Sequence, residues 1–137
     1  KEYLENRHKE SIVIIGIESV PGHNNLDKIL EVEGIDGIFI GPNDMSTSLG
    51  IPDDYSNDKY TDVLKDIIAK SSAKDIPVMI HQQTIETSAT AINLGARFIM
   101  HSSDARLMQT AMQDHMNQLR EIAGATSADG GDHVDVA

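Results

Sequence analysis

The chain has 137 residues, of which 39% are hydrophobic and 24% are charged, and its formal net charge is -11. This length allows one modest domain with its own core, and the composition is that of an ordinary globular protein. The acidic balance excludes the basic stripe with which nucleic-acid-binding proteins contact phosphates. No apolar run approaches the ~18 residues of a membrane span. The absence of cysteine excludes disulfides and thiolate metal sites, and it favours a cytoplasmic location.

Short apolar runs recur along the chain and predict four β-strands. The first run, SIVIIGIE at residues 11–18, is almost continuously apolar and rich in β-branched residues. Runs of this kind are typical of parallel strands that are buried on both faces, rather than of half-exposed antiparallel strands. The predicted strands lie near residues 12–17, 36–40, 76–80 and 97–101.

Apolar residues at helical spacing fill the segments between these strands. The predicted helices lie within residues 23–34, 57–73, 84–94 and 105–123. Residues that favour helix ends support these bounds, since Gly95 follows the third helix and Asp104 is placed to cap the fourth. Residues 1–10 resemble the end of an exposed helix, whereas residues 124–137 are short of core-forming side chains and are predicted to be disordered.

The order of these elements is strand then helix, four times over, after a leading helix. Strict alternation indicates an α/β fold with parallel strands and right-handed crossovers. Two architectures have this order: a small doubly wound sheet and part of a TIM (β/α)8 barrel. A complete barrel needs eight strands and ~250 residues, so four strands amount to half of one. The leading helix predicts that a preceding strand lies upstream of Lys1.

Two carboxylates follow neighbouring predicted strands. Glu18 ends the first strand, and Asp44 lies just beyond the second, after a Gly-Pro corner. Parallel strands ~4.8 Å apart bring both residues to the carboxyl edge of the sheet, where α/β folds carry their sites. Two carboxylates without His or Cys form a hard-oxygen site suited to Mg²⁺ or Mn²⁺. The spacing alone leaves alternatives open: a salt bridge for Glu18, and a helix cap for Asp44 beside Pro42.

The same stretch of sequence carries a resemblance to a known family. Residues 17–19 (IES) and 34–46 (GIDGIFIGPNDMS) are similar to the I-E-[TS] and G-[IV]-D-G-[IV]-F-[IV]-G-P-x-D-[LM]-[SA] segments of metal-dependent (class II) pyruvate aldolases. This is the family of 4-hydroxy-2-oxoheptanedioate and 2-keto-3-deoxy sugar-acid aldolases, within the aldolase/citrate lyase superfamily. The match is specific over residues 16–52 and weaker over residues 92–108.

The resemblance implies a TIM barrel of which residues 1–123 form roughly the second half, followed by the tail at 124–137. It implies that Glu18 and Asp44 hold a divalent metal, Mg²⁺ or Mn²⁺ with Co²⁺ as a further option. The residues expected to contact substrate are Gly41, Pro42, Asn43, Asp44 and Ser46. The alternative for Ser46 and Ser48 is that they are surface turn residues without a contact to substrate.

The implied reaction is cleavage or formation of a 4-hydroxy-2-oxo acid, with pyruvate and an aldehyde as the fragments, through a metal-stabilised pyruvate enolate. The family also uses a histidine and an arginine from the first half of its barrel. This half is therefore expected to supply no catalytic residue beyond the metal ligands. The expected partners are small molecules, with no nucleic acid and no membrane, and the full-length protein is expected to be a homo-oligomer.

Several alternatives stay open at this point. A citryl- or malyl-CoA-type lyase shares the barrel and the two carboxylates, and an inactive half-barrel fragment would keep the fold without the chemistry. His81 and His101 end the third and fourth strands. Each is either a polar residue at the rim of the sheet or a contact to the aldehyde part of the substrate.

Overall fold

Four strands form one parallel sheet within residues 11–124, the part of the chain that this computed structural model describes. The strands are β1 (Ile14–Gly16), β2 (Gly37–Ile40), β3 (Val78–Gln82) and β4 (Phe98–His101). They lie side by side in chain order, and each neighbouring pair is parallel. The prediction of four consecutive parallel strands is therefore confirmed. The helix end predicted for residues 1–10 and the tail predicted beyond Gly124 lie outside the described residues.

Six helices connect or follow these strands in the described part of the chain. They are α1 (Val20–Asn24), α2 (Leu26–Ile29), α3 (Pro42–Ser48), α4 (Asp58–Ala73), α5 (Ile85–Asn93) and α6 (Asp104–Ile122). The bounds predicted for α4 and α5 are confirmed to within a residue or so. The side chains of Asn57 and Thr84 cap these two helices by accepting hydrogen bonds from backbone N–H groups in the first turn.

Two helical predictions need correction. The single helix expected within residues 23–34 is replaced by α1 and α2, because Ser19 caps an earlier turn that contains Pro21 near its start. Asp104 is not the cap of α6. Ser103 holds that position and accepts a hydrogen bond from the N–H of Arg106, which leaves Asp104 in the first turn.

The two faces of the sheet differ in burial. Alternate residues of the strands pack under the helices and form the core with them. The core residues are Ile17, Leu26, Leu30, Ile38, Ile40, Met45, Tyr60, Leu64, Ile67, Ile68, Val78, Ile80, Ala91 and Ala96. We call the opposite side the open face; it carries Ile14, Gly16, Glu18, Gly37, Phe39, Gly41, Met79, His81, Phe98 and Met100. Helices therefore cover one side of the sheet, as in a barrel wall.

The open face differs from the sequence-based prediction. The strands are expected to be buried on both faces, but Ile14 is 43% exposed, Phe98 is 53% exposed and Met100 is 49% exposed. These side chains are as apolar as those of the core, so sequence pattern alone does not distinguish the two faces. An apolar strand face of this kind is normally covered by further parts of a barrel.

A charged cluster ties the segment after β1 to the middle of α4. The Nε2 atom of His23 lies 2.7 Å from Oδ2 of Asp66, and Nζ of Lys70 lies 3.1 Å from the same oxygen. Lys70 also contacts Asp27 at 3.2 Å. Partial burial acts to raise the pKa of the Asp66 carboxyl group, but hydrogen bonds from His23 and Lys70 outweigh it and hold the pKa below its usual value.

Helix α6 belongs to a separate unit, residues 102–124 of the described chain, whereas the sheet and the other helices belong to residues 11–101. It is amphipathic, as predicted from its apolar spacing. Its exposed apolar side chains are Leu107, Met108, Met112, Met116, Leu119 and Ile122. No helix within residues 11–124 is long and apolar enough to cross a membrane.

Candidate active site

Glu18 lies at the carboxyl edge of the sheet, directly beside Gly41. The β1–β2 register pairs Gly16 with Phe39, so Glu18 and Gly41 are neighbours two residues further along. A Cβ atom on Gly41 would lie 2.6 Å from Oε1 of Glu18 and 3.0 Å from its Cδ. Because such distances are far below normal carbon contacts, the Glu18 carboxylate occupies the space that any other residue at 41 would fill. Glycine at this position therefore makes room for the carboxylate.

Asp44 lies on the helix that starts at the same corner. Helix α3 begins at Pro42 with Gly41 as its N-cap, and no side chain caps it. Asp44 is consequently in the first turn and is exposed, rather than being the capping residue that the alternative interpretation required. A carboxylate in this turn also interacts favourably with the helix dipole.

The carboxylates of Glu18 and Asp44 both lack a protein partner among residues 11–124. Neither takes part in a hydrogen bond or an ion pair there, so the salt bridge considered for Glu18 is not present in the described chain. Adjacent strand ends bring the two residues to one edge of the sheet, as the sequence predicts. Whether their oxygens share a cation stays a prediction.

These two residues fit a divalent metal by the chemistry of their donors. No group of three or more His, Cys, Asp or Glu side chains in the described residues is arranged to hold a metal ion. A pair of carboxylates leaves the remaining positions of an octahedral shell to water or substrate oxygens, which is how Mg²⁺ is usually held. Gly41, which has no Cβ atom, leaves room for one of the two carboxylates at this edge.

Hydrogen bonds hold the corner that carries Asp44. Ser46 is fully buried; its hydroxyl donates to the carbonyl of Asn43 at 2.9 Å and accepts from the N–H of Asp53 at 3.1 Å. The hydroxyl of Ser48 accepts from the N–H of Val20 at 3.0 Å. Ser46 therefore does not lie in a surface turn. Its contact to substrate stays a prediction, with the hydroxyl already engaged by two backbone groups.

Tyr55 adds a further contact to the same corner. Its hydroxyl oxygen lies 2.6 Å from Oδ1 of Asn43 and 2.8 Å from Oδ1 of Asp53. The ring packs edge-on against Tyr60, with 5.6 Å between ring centroids. Burial raises the pKa of Tyr55 to about 12, and Asp53 acts in the same direction. Burial likewise raises the pKa of Tyr60 to about 12, and its hydroxyl has no hydrogen-bond partner in the described residues.

Alkaline titration tests this packing around the corner. We expect the phenolate absorbance of the folded protein to show Tyr55 and Tyr60 ionising near pH 12. The unfolded chain loses the same protons near pH ~10. Since the unfolded state then binds fewer protons, the free energy of unfolding falls as the pH rises from about 10 through about 12. Tyr60→Phe should remove one late-titrating group, and ionisation of both residues near pH ~10 in the folded protein would contradict the packing.

The two histidines at strand ends lie on opposite faces of the sheet. In β3, Val78, Ile80 and Gln82 face the helices, so His81 lies on the open face. In β4, His101 pairs with Gln82 and therefore lies on the face that the helices cover. Its Nδ1 atom lies 2.8 Å from the hydroxyl of the buried Ser88 on α5. Sequence reasoning treats the two alike, because the runs VMIH and FIMH are apolar on both faces and give no parity signal.

Comparison with known proteins assigns the chain to a family. Residues 2–111 match the HpcH/HpaI aldolase/citrate lyase family. The chain is similar to a curated protein, the 2-keto-3-deoxy-L-rhamnonate aldolase of Salmonella paratyphi B, with 28% identity over 126 residues. That alignment covers 92% of this chain and 47% of the relative. The chain therefore spans about half the length of the curated relatives it matches.

Solved structures share the same architecture. An HpcH/HpaI aldolase/citrate lyase family protein from Burkholderia cenocepacia aligns with a TM-score of 0.82 at 23% identity, over 88% of this chain and 47% of its own. An HpcH/HpaI aldolase from Desulfitobacterium hafniense aligns with a TM-score of 0.79 at 23% identity, over 92% and 49%. The four-stranded sheet thus corresponds to about half of a TIM-barrel-like aldolase, which confirms the predicted fold. The chain belongs to the HpcH/HpaI aldolase/citrate lyase family.

Proposed function

We propose that the protein is a carbon–carbon lyase that cleaves or forms a 4-hydroxy-2-oxo acid, with pyruvate and an aldehyde as the two fragments. Family membership supports a lyase or aldolase. The name of the Salmonella relative, a 2-keto-3-deoxy-L-rhamnonate aldolase, supports a 2-oxo acid substrate. The observation that carries the proposal is the Glu18 carboxylate lying across Gly41, beside the corner that bears Asp44.

Glu18 and Asp44 would hold a divalent metal ion, with Mg²⁺, Mn²⁺ and Co²⁺ as the candidates. When bound, such an ion supplies Lewis-acid polarisation of the 2-oxo acid. The absence of a Cβ atom at Gly41 lets the Glu18 carboxylate lie against the backbone there. We place the 2-oxo acid against Gly41, Pro42 and Asn43, beside the two carboxylates. Ser46 and Tyr55 hold this corner in position through their contacts to Asn43 and Asp53.

The apolar open face contributes by excluding water. Ile14, Phe39, Met79, Phe98 and Met100 give this face an apolar surface along the length of the strands. A water-poor site strengthens the electrostatic interactions within it. Closure of the site requires the remainder of a barrel. We therefore propose that residues 1–123 act as one half of the enzyme domain, in a cytoplasmic homo-oligomer of the full-length protein.

Proton exchange at the methyl group of pyruvate tests the proposed function. The full-length protein with Mg²⁺ in deuterated water should remove the methyl proton signal of pyruvate, as followed by NMR, and chelation with EDTA should stop the exchange. Exchange needs no aldehyde, so the result does not depend on knowing the second substrate. If acetyl-CoA exchanges and pyruvate does not, the citryl- or malyl-CoA-type lyase is the better assignment. The proposal fails if neither compound exchanges.

A further inference from the structure

A cleft lies between α4 and α5 at the carboxyl end of β3. Its volume is about 300 Å³, within the range of sites that hold small molecules. The lining residues come from the loop before α4, from the first two turns of both helices and from the last residue of β3; Tyr60, Gln82 and Thr87 are examples. Gln82 faces the helices, whereas Glu18 lies on the open face. The cleft and the proposed metal site are therefore on opposite sides of the sheet.

The hydroxyl group of Tyr60 is buried in the wall of this cleft without a partner. Tyr60 is 3% exposed, and its hydroxyl oxygen makes no hydrogen bond within residues 11–124. Burial raises the pKa of Tyr60 and the side chain of Gln82 acts in the opposite direction, so these two groups lie close together. Gln82 is itself 5% exposed. Because buried polar groups in native proteins are almost always paired, the Tyr60 hydroxyl indicates a ligand or a water molecule in the cleft.

The charges around the cleft exclude an anionic ligand. Its lining residues all belong to the described chain, and none of them is Lys, Arg or His. The charged residue among them is Glu86, whose pKa is held below its usual value by hydrogen bonds from its own backbone N–H and from the Thr84 hydroxyl. The other polar groups are neutral and include the phenol of Tyr60, the carboxamide of Gln82 and hydroxyl groups from both helices. An anion in the cleft would thus meet one negative charge and no positive one.

We propose that this cleft binds a small neutral molecule that carries several hydroxyl groups. A hydroxyl group both donates and accepts a hydrogen bond, so one ligand hydroxyl can pair with Tyr60 and another with the amide of Gln82. The C–H surface between the hydroxyl groups packs against Leu64, which also lines the cleft. A carboxylate on the same ligand would lose its hydration without gaining a cation, which disfavours 2-oxo acids here. The site is independent of the proposed function and recognises a different class of compound.

Xylitol and xylonate form a matched pair of probes, because they share the same carbon chain and differ by one carboxylate. In full-length protein with ¹³C-labelled tyrosine, xylitol should shift the ring signal of Tyr60, which is identified by its loss in Tyr60→Phe. We expect a Kd of about millimolar order, as for most ligands of so few atoms. Xylonate should bind about tenfold more weakly or not at all, since no cation lines the cleft. An unmoved Tyr60 signal, or equal affinity for the two probes, overturns the proposal.

Two variants test the contacts within the cleft, with affinities read from the NMR signals of xylitol itself. Gln82→Leu should weaken xylitol binding about tenfold, the value of one hydrogen bond in a buried site. Gln83→Leu is the matched control, because Gln83 is the next residue, has the same side chain and does not line the cleft. Tyr60→Phe should weaken binding to a similar degree without lowering the thermal midpoint, because it removes an unpaired hydroxyl and keeps the ring. Equal affinity in Gln82→Leu, Tyr60→Phe and Gln83→Leu would contradict the assignment to this cleft.

Discussion

Asp44→Asn in the full-length protein is expected to weaken binding of Mn²⁺ by about 100-fold or more and to abolish metal-dependent exchange of the pyruvate methyl protons. The substitution keeps the size of the side chain and removes its negative charge. With two protein ligands in the proposed site, each carboxylate supplies half of the charge that holds the ion. Asp44 is exposed and its side chain has no hydrogen bond within residues 11–124, so the fold should not depend on its carboxylate.

Calorimetry with Mn²⁺ measures the affinity, and NMR measures the exchange. Glu18→Gln should give the same double loss. Asp62→Asn is the matched control, because Asp62 is an exposed carboxylate on α4 with a 3.6 Å contact to Lys65 and no place at the carboxyl edge. Equal Mn²⁺ affinity in Asp44→Asn and in the wild type would show that Asp44 interacts with the first turn of α3 and does not bind a metal.

The carboxyl edge was predictable from sequence because parallel strands impose it. Any residue that follows a strand in a βαβ unit lies at that edge, so Glu18 and Asp44 could be placed together from their position after two apolar runs. The four strands were predictable from apolar runs, and the bounds of α4 and α5 from apolar residues at helical spacing. Asn57 and Thr84 cap these two helices.

The face of the sheet on which a side chain lies, and the atoms that it contacts, were less predictable. His81 and His101 both end apolar runs, and a strand that is apolar on both sides gives no alternation from which to read its parity. The contact between Glu18 and Gly41 depends on the register of β1 against β2, which the sequence does not state. Ser46 lies in a stretch of small polar residues typical of a surface turn, but it is buried. Its hydroxyl donates a hydrogen bond to the carbonyl of Asn43 and accepts one from the N–H of Asp53.

Gly41→Ala is expected to lower Mn²⁺ affinity about tenfold or more while the thermal midpoint changes by only a few degrees. The backbone of Gly41 has φ -86° and ψ 105°, which alanine adopts without strain. The new Cβ atom would lie 2.6 Å from Oε1 of Glu18, so the carboxylate has to move. The displaced atoms form the free end of a flexible side chain, and for this reason the cost falls on the metal site and not on the fold.

Gly37→Ala is the matched control, because Gly37 begins β2, the strand that Gly41 follows, and lies on the same open face. Its Cβ atom would meet the carbonyl oxygen of Pro77 at 3.5 Å and Cγ1 of Ile14 at 3.6 Å, which are ordinary contacts. Metal affinity should be unchanged. In a Glu18→Gln background, Gly41→Ala should cause little further loss, because the two changes act through one carboxylate. A full additional loss in the double variant would mean that Gly41 acts on the metal site through another group.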